Sequence, residues 1–207
     1  MSENSKTGHL VPIEWLQAAF NMRAAAYANI FDVLRDAFGT QKSVELLSEA
    51  TRRMGITAGA RFADLGPDRL MALKERFLGT IPAGDILFQP EVRRNDDERL
   101  EIKFHRCPLK EAWQAMGRSD DDLELLCKAG GAIDGGLFKA AGFVFKGETW
   151  RPGEEGCCKL VVEPGLPPDQ GSSIFREYRA RQRALLFVGP QPLILKECRG
   201  EIATAFL

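Results

Sequence analysis

The stretch RLEIKFHRCPL, residues 99–109, decides how the chain is read. Leu100, Ile102 and Phe104 alternate with Glu101, Lys103 and His105. A period of two puts the apolar set on one face of a strand and the polar set on the other. The segment therefore predicts an antiparallel strand with one wet face. Pro108 ends it. Proline suits the first position of a helix and pushes the residue before it out of the helical region. The strand should run into a helix over 108–116, with Cys107 at its N-cap.

Working outward, Ile86, Phe88 and Val92 mark a partner strand over 85–94. The polar run Asn95-Asp96-Asp97-Glu98 is the turn between the two. Ser119 followed by Asp122 suits a helix start. Helices are expected over 120–129 and 133–141, interrupted by Gly130-Gly131 and Gly135-Gly136. A second hairpin follows, with strands at 142–145 and 158–162 and a turn around 152–156. The N-terminal third reads as helical. Apolar residues recur at helical spacing from Trp15 to Leu34, and Gly39 is a stop. A second helix runs from about Gln41 and pauses at Gly55, and a third starts at Pro67 and reaches Leu78.

The fold expected is α+β: N-terminal helices packed on a small antiparallel sheet, with further helices between two hairpins. Residues 1–10 are expected to be a disordered tail and 11–164 the main domain. Beyond the Pro- and Gly-rich stretch Pro164–Gly171, residues 165–207 read as an extension holding a helix and short strands.

At 207 residues, 44% of them hydrophobic, the chain can bury a core without disulfides or metal staples. A net charge of -1 leaves no cationic excess for nucleic-acid phosphates. The basic stretch Arg176–Arg183 includes Glu177 and reads as a solvated helix face. No apolar run spans a bilayer, and residues 1–8 have no signal core, so a cytoplasmic protein without membrane contact is expected. The 5 cysteines form no C-x-x-C pair, and with no secretion signal they are read as reduced thiols.

Cys107 is the leading site candidate. At a helix N-cap the first-turn N–H groups and the helix dipole favour a thiolate. His105 stands two residues upstream, on the same strand face by alternation, and Arg106 adds positive charge. The plainer alternative is a buried cysteine closing a turn. Cys127, among Leu123, Leu125 and Leu126, reads as a core cysteine, and Asp134 as a cap or turn residue unless it faces Cys107. On a regular strand Cys158 should point inward with Leu160 and Val162, and Cys157 outward with Lys159 or toward a ligand. Cys198 and His9 read as incidental, and Asp120-Asp121-Asp122 as compensation of the helix dipole. Gly130–Gly136 lacks a P-loop lysine, and Arg93-Arg94 reads as a solvated strand end.

The order His105-Arg106-Cys107-Pro108-Leu109, Trp113, Gly117, Leu126-Cys127, Asp134, Gly153 and then Cys157 or Cys158 resembles the L-2-amino-thiazoline-4-carboxylic acid hydrolase family over about residues 40–164. The resemblance implies opening of L-2-amino-thiazoline-4-carboxylate to N-carbamoyl-L-cysteine. Such a reaction needs a nucleophile, a proton donor for the leaving sulfur and a cation for the carboxylate. The chemistry nominates Cys107, His105, Asp134 and Cys127 for catalysis, and Arg106, Arg94 and Trp113 for binding. Cys107, Cys127 and Cys158 would be the ligands if zinc or iron activated the water. Two other readings stand beside it. One is a small-molecule or metal-binding sensor or accessory module similar to 4-vinyl reductase domains. The other is an interaction protein that dimerises through helix 13–38.

Overall fold

The structure is a computed structural model, and it describes residues 11–165. Expectations for residues 1–10 and 166–207, including His9, Arg176–Arg183 and Cys198, lie outside the described residues.

Two long helices open the described chain, α1 (Ile13–Phe38) and α2 (Thr40–Gly59). Gly39 joins them at φ 80, a left-handed backbone that glycine adopts without a Cβ clash. The inward face of α1 is Ala24, Tyr27, Ala28 and Phe31. Its outer face leaves Trp15, Met22 and Val33 exposed. The next helix, α3 (Leu70–Gly79), begins later than predicted. Pro67 follows a cis peptide bond and lies in the preceding turn, so it does not start the helix. A short helical turn, α4 (Gly84–Leu87), takes Ile86 out of the expected strand.

The predicted hairpin is β1 (Pro90–Asn95) and β2 (Leu100–Phe104), antiparallel with Val92 opposite Ile102. The inward residues of β2, Leu100, Ile102 and Phe104, are buried as the alternation requires. After α5 (Pro108–Ala115) and α6 (Asp120–Ala140) come β3 (Val144–Glu148) and β4 (Lys159–Glu163). The four strands form one antiparallel sheet in the order β1-β2-β4-β3. The fold is α+β and mostly helical. No helix among the described residues is long and apolar enough to cross a membrane.

The glycine pairs do not break α6. An interior glycine costs a helix about 1 kcal/mol relative to alanine, and here close packing explains it. A methyl group at Gly136 would overlap the Arg52 carbonyl of α2, and one at Gly55 would overlap the Ile133 carbonyl of α6. Glycines on both helices let their backbones touch. Ser119 caps α6 by accepting the Asp122 N–H at 3.2 Å. Asp122 also meets Arg35 of α1 at 2.7 Å, which ties the first turn of α6 to α1.

The apolar residues form two clusters. One joins the sheet to α3 and the C-terminal half of α6. The other joins α1, α2, α5 and the N-terminal half of α6. Cys107 packs against both.

Candidate active site

A cavity of about 320 Å³ opens where the two clusters meet. One stripe of α6 lines it: Cys127, Gly130, Gly131, Asp134 and Leu137. Their spacing of three and four residues is that of a single helical face. Gly130 and Gly131 contribute no side chain, which keeps the space open. A methyl at Gly130 would already reach the Trp113 ring at 3.4 Å.

Cys107 sits at the α5 N-cap with Pro108 in the first turn, as the sequence predicts. Its electrostatics differ from the expectation. The thiol is pushed well up from its ordinary range, first by its hydrogen bond with Cys157 and then by burial. The N–H groups of Leu109 and Lys110 pull the other way, but the side chain closes no capping hydrogen bond. Both raising effects favour the neutral thiol over the thiolate.

Cys157 and Cys158 correct a second expectation. Cys157 is buried and Cys158 is the more exposed of the two. Regular alternation starts only at Lys159. Just before it, Phe104 accepts from the Cys157 N–H and donates to the Cys158 carbonyl, both at 2.9 Å. Two residues facing one is the pattern of a bulge, which re-aims side chains. Both cysteines line the cavity, with their sulfurs 3.6 Å apart. The Cys107 contact alone would lower the Cys157 thiol, but the Cys158 contact and burial raise it to about 12. Cys127, on the same cavity, is raised by burial.

Asp134 lines the same cavity. Burial lifts its carboxyl to about 7, against the pull of Arg23. That places one acid near neutrality inside a mostly apolar cavity, the condition for proton transfer at ordinary pH.

The remaining candidates divide. Trp113 is a cavity wall, and its Nε1 donates to the Ala24 carbonyl at 2.8 Å. Arg106 lines the cavity, but its guanidinium is engaged: Nε and Nη2 with Glu111 at 2.8 and 2.7 Å, Nη1 with the Ile86 carbonyl at 2.9 Å. His105 is not in the lining. Alternation sends it to the wet face, where Nε2 meets Glu91 at 2.9 Å. The strand ends at Phe104, so Cys107 does not continue the face of His105. Arg94 closes its own hairpin turn with Asp96 at 2.6 Å and Glu98 at 2.8 Å, away from the cavity. Cys107, Cys127 and Cys158 share the cavity but do not meet as a ligand set. Among the described residues no group of three or more His, Cys, Asp or Glu could hold a metal ion.

Sequence reasoning missed Arg23, which lies on α1 and lines the cavity. A lone arginine beside Ala24, Ala25 and Ala26 carries no signal of its own. The one clue was Tyr27 four residues on, a neighbour on the helix surface.

A thiol-rich cavity with one acid poised near neutrality sits on an α+β frame. The chain belongs to the L-2-amino-thiazoline-4-carboxylic acid hydrolase family, whose model matches residues 19–161. The match takes in most of α1, which the resemblance read from sequence did not. No curated protein matches the chain.

Proposed function

We propose that this protein opens the ring of L-2-amino-thiazoline-4-carboxylate, or a closely related cyclic amidine, by hydrolysis. The observation that carries the reading is that Cys107 and Asp134 line one cavity of small-molecule size in a chain of this family. The amidine of the ring is basic, and its protonated form suits an ionised carboxylate with two N–H donors on one edge. Asp134 fills that role and accepts and returns protons.

In the first half-reaction the Cys107 sulfur bonds to C2 and its proton passes to Asp134. The bond from C2 to the ring sulfur breaks, and the departing sulfur takes that proton. The ring is now an open chain attached through C2 to Cys107. In the second half-reaction a water molecule adds to C2 and the bond to Cys107 breaks. Water's oxygen becomes the carbamoyl oxygen, one of its protons stays on the product and the other restores the Cys107 thiol. One water is consumed, and N-carbamoyl-cysteine leaves with a free thiol. A neutral resting thiol is compatible with this scheme, because the proton leaves only as the new bond forms.

The test is incubation of the purified full-length chain with the thiazoline, with product identification and intact mass after acid quench. The expected result is N-carbamoyl-cysteine, together with protein heavier by one substrate molecule at the Cys107 peptide. Tight binding without product would favour the sensor or accessory reading instead.

A further inference from the structure

Two cations line the cavity, Arg23 and Arg106. Arg106 has its nitrogens on Glu111 and the Ile86 carbonyl. Arg23 is different. Its Nε donates to Tyr27 Oη at 3.1 Å, and its guanidinium lies over the Tyr27 ring, 5.2 Å from the centroid. Tyr27 is itself fixed, because it is buried and its hydroxyl donates to Met54 Sδ at 3.5 Å. Among the described residues no acceptor is bonded to the two terminal nitrogens of Arg23. The guanidinium is thus held at one edge, leaving a fork of donors available to a ligand.

The backbone under that fork is also pinned, since the carbonyl of Ala24 accepts the Trp113 indole N–H. Asp134 supplies the opposite charge on the same cavity. Arg23 influences the Asp134 carboxyl, yet no salt bridge joins the two among the described residues. The cavity therefore offers a positive group and a negative group that do not neutralise each other by contact. A ligand with a cation at one end and a carboxylate at the other satisfies both.

We infer that Arg23 is the carboxylate anchor of this cavity and confines it to rings that bear an acid, with Tyr27 as the positioning residue that aims the anchor. A planar guanidinium matches a carboxylate by two parallel N–H···O bonds, which a lysine cannot reproduce. The inference rests on the proposed reaction for its substrate, since that ring carries its amidine at C2 and its carboxylate at C4. It replaces Arg106 and Arg94 in the binding role.

The experiment compares two ligands, 2-amino-thiazoline-4-carboxylate and 2-amino-thiazoline without the carboxylate. Both are titrated by calorimetry into full-length protein in a Cys107→Ser background, which blocks the proposed turnover. The carboxylated ring should bind roughly tenfold tighter or more, as expected for a charge-assisted pair. Arg23→Gln should bring the two affinities to within a factor of about two by weakening only the carboxylated ring. Arg23→Lys should restore part of the preference. Tyr27→Phe keeps the ring under the guanidinium but removes the Oη acceptor, so the preference should fall partway with the uncarboxylated ring unaffected.

An unchanged preference in Arg23→Gln overturns the inference, as does equal weakening of both ligands. If neither thiazoline binds the unsubstituted site, the proposed substrate is wrong. The anchor is then read with thiazolidine-4-carboxylate against thiazolidine. A carboxylate preference that Arg23→Gln removes sustains it, and no preference overturns it too.

Discussion

Cys157 and Cys158 are neighbours in the chain whose sulfurs lie side by side, 3.6 Å apart. Neighbours on a regular strand point to opposite faces, so this contact is a product of the bulge at Phe104. It brings Cys157 against Cys107 and makes the nucleophile candidate part of a group of thiols. The resulting hydrogen bond holds Cys107 protonated.

Removing that partner should release it. In Cys157→Ala the Cys107 thiol should ionise at lower pH, because the thiol contact that raises it most is gone. Alkylation of Cys107 at fixed pH, followed by peptide mass, should speed up several-fold over the wild type. An unchanged or slower rate would mean that burial alone sets the thiol.

Asp134 makes a prediction with a definite sign. Its folded carboxyl titrates at about 7 against an ordinary value of 3.8. The folded protein keeps a proton that the unfolded chain has lost, so this group's contribution to stability falls as pH rises through that window. The loss is at most about 4 kcal/mol, the free-energy equivalent of the difference between those two values. Asp134→Asn should therefore raise the thermal midpoint at about pH 8 and change it little at about pH 4. A shift of equal size at both would contradict the assignment.

The same group should shape activity. Turnover that needs the Asp134 carboxylate should increase as pH rises through about 7. Asp134→Asn should lose roughly a hundredfold to ten-thousandfold in kcat, the usual range for a proton-transfer group. A pH profile of the wild type that is flat across neutrality would count against it.

Gly136→Ala probes the helix crossing. The added methyl would overlap the Arg52 carbonyl, which is backbone and cannot turn aside. Overpacking of this kind costs about 1–3 kcal/mol or more, visible as a lower midpoint in denaturant. Stability equal to the wild type would show that α2 and α6 do not meet there.

His105→Ala and Arg94→Ala should leave turnover within about twofold of the wild type, as is usual for exposed residues away from the chemistry. Each is engaged with carboxylates outside the cavity. A large loss in either would return it to the mechanism.

Much of the frame was legible in the sequence because it follows from local periodicity. The alternation of Leu100, Ile102 and Phe104 and the Cys107-Pro108 step gave the strand, its wet face and the helix start. Ser119 gave the start of α6. What was misread depends on contacts between distant segments. Gly135-Gly136 looked like a break because nothing local reveals that α2 lies against it. Cys158 was read as the more buried of the cysteine pair because a bulge is set by the partner strand and leaves no local mark. His105 was joined to Cys107 by an alternation that stops at Phe104. Arg23 went unnoticed because it lies far in sequence from the residues it shares a cavity with.

The most direct measurement is the rate of thiol release from L-2-amino-thiazoline-4-carboxylate by Cys107→Ala beside the wild type, with folding of both checked by thermal midpoint. The wild type should turn over steadily, and the folded variant should fall by roughly a thousandfold or more, as for loss of a covalent nucleophile. Wild-type turnover by Cys107→Ala would contradict a sulfur-bound intermediate.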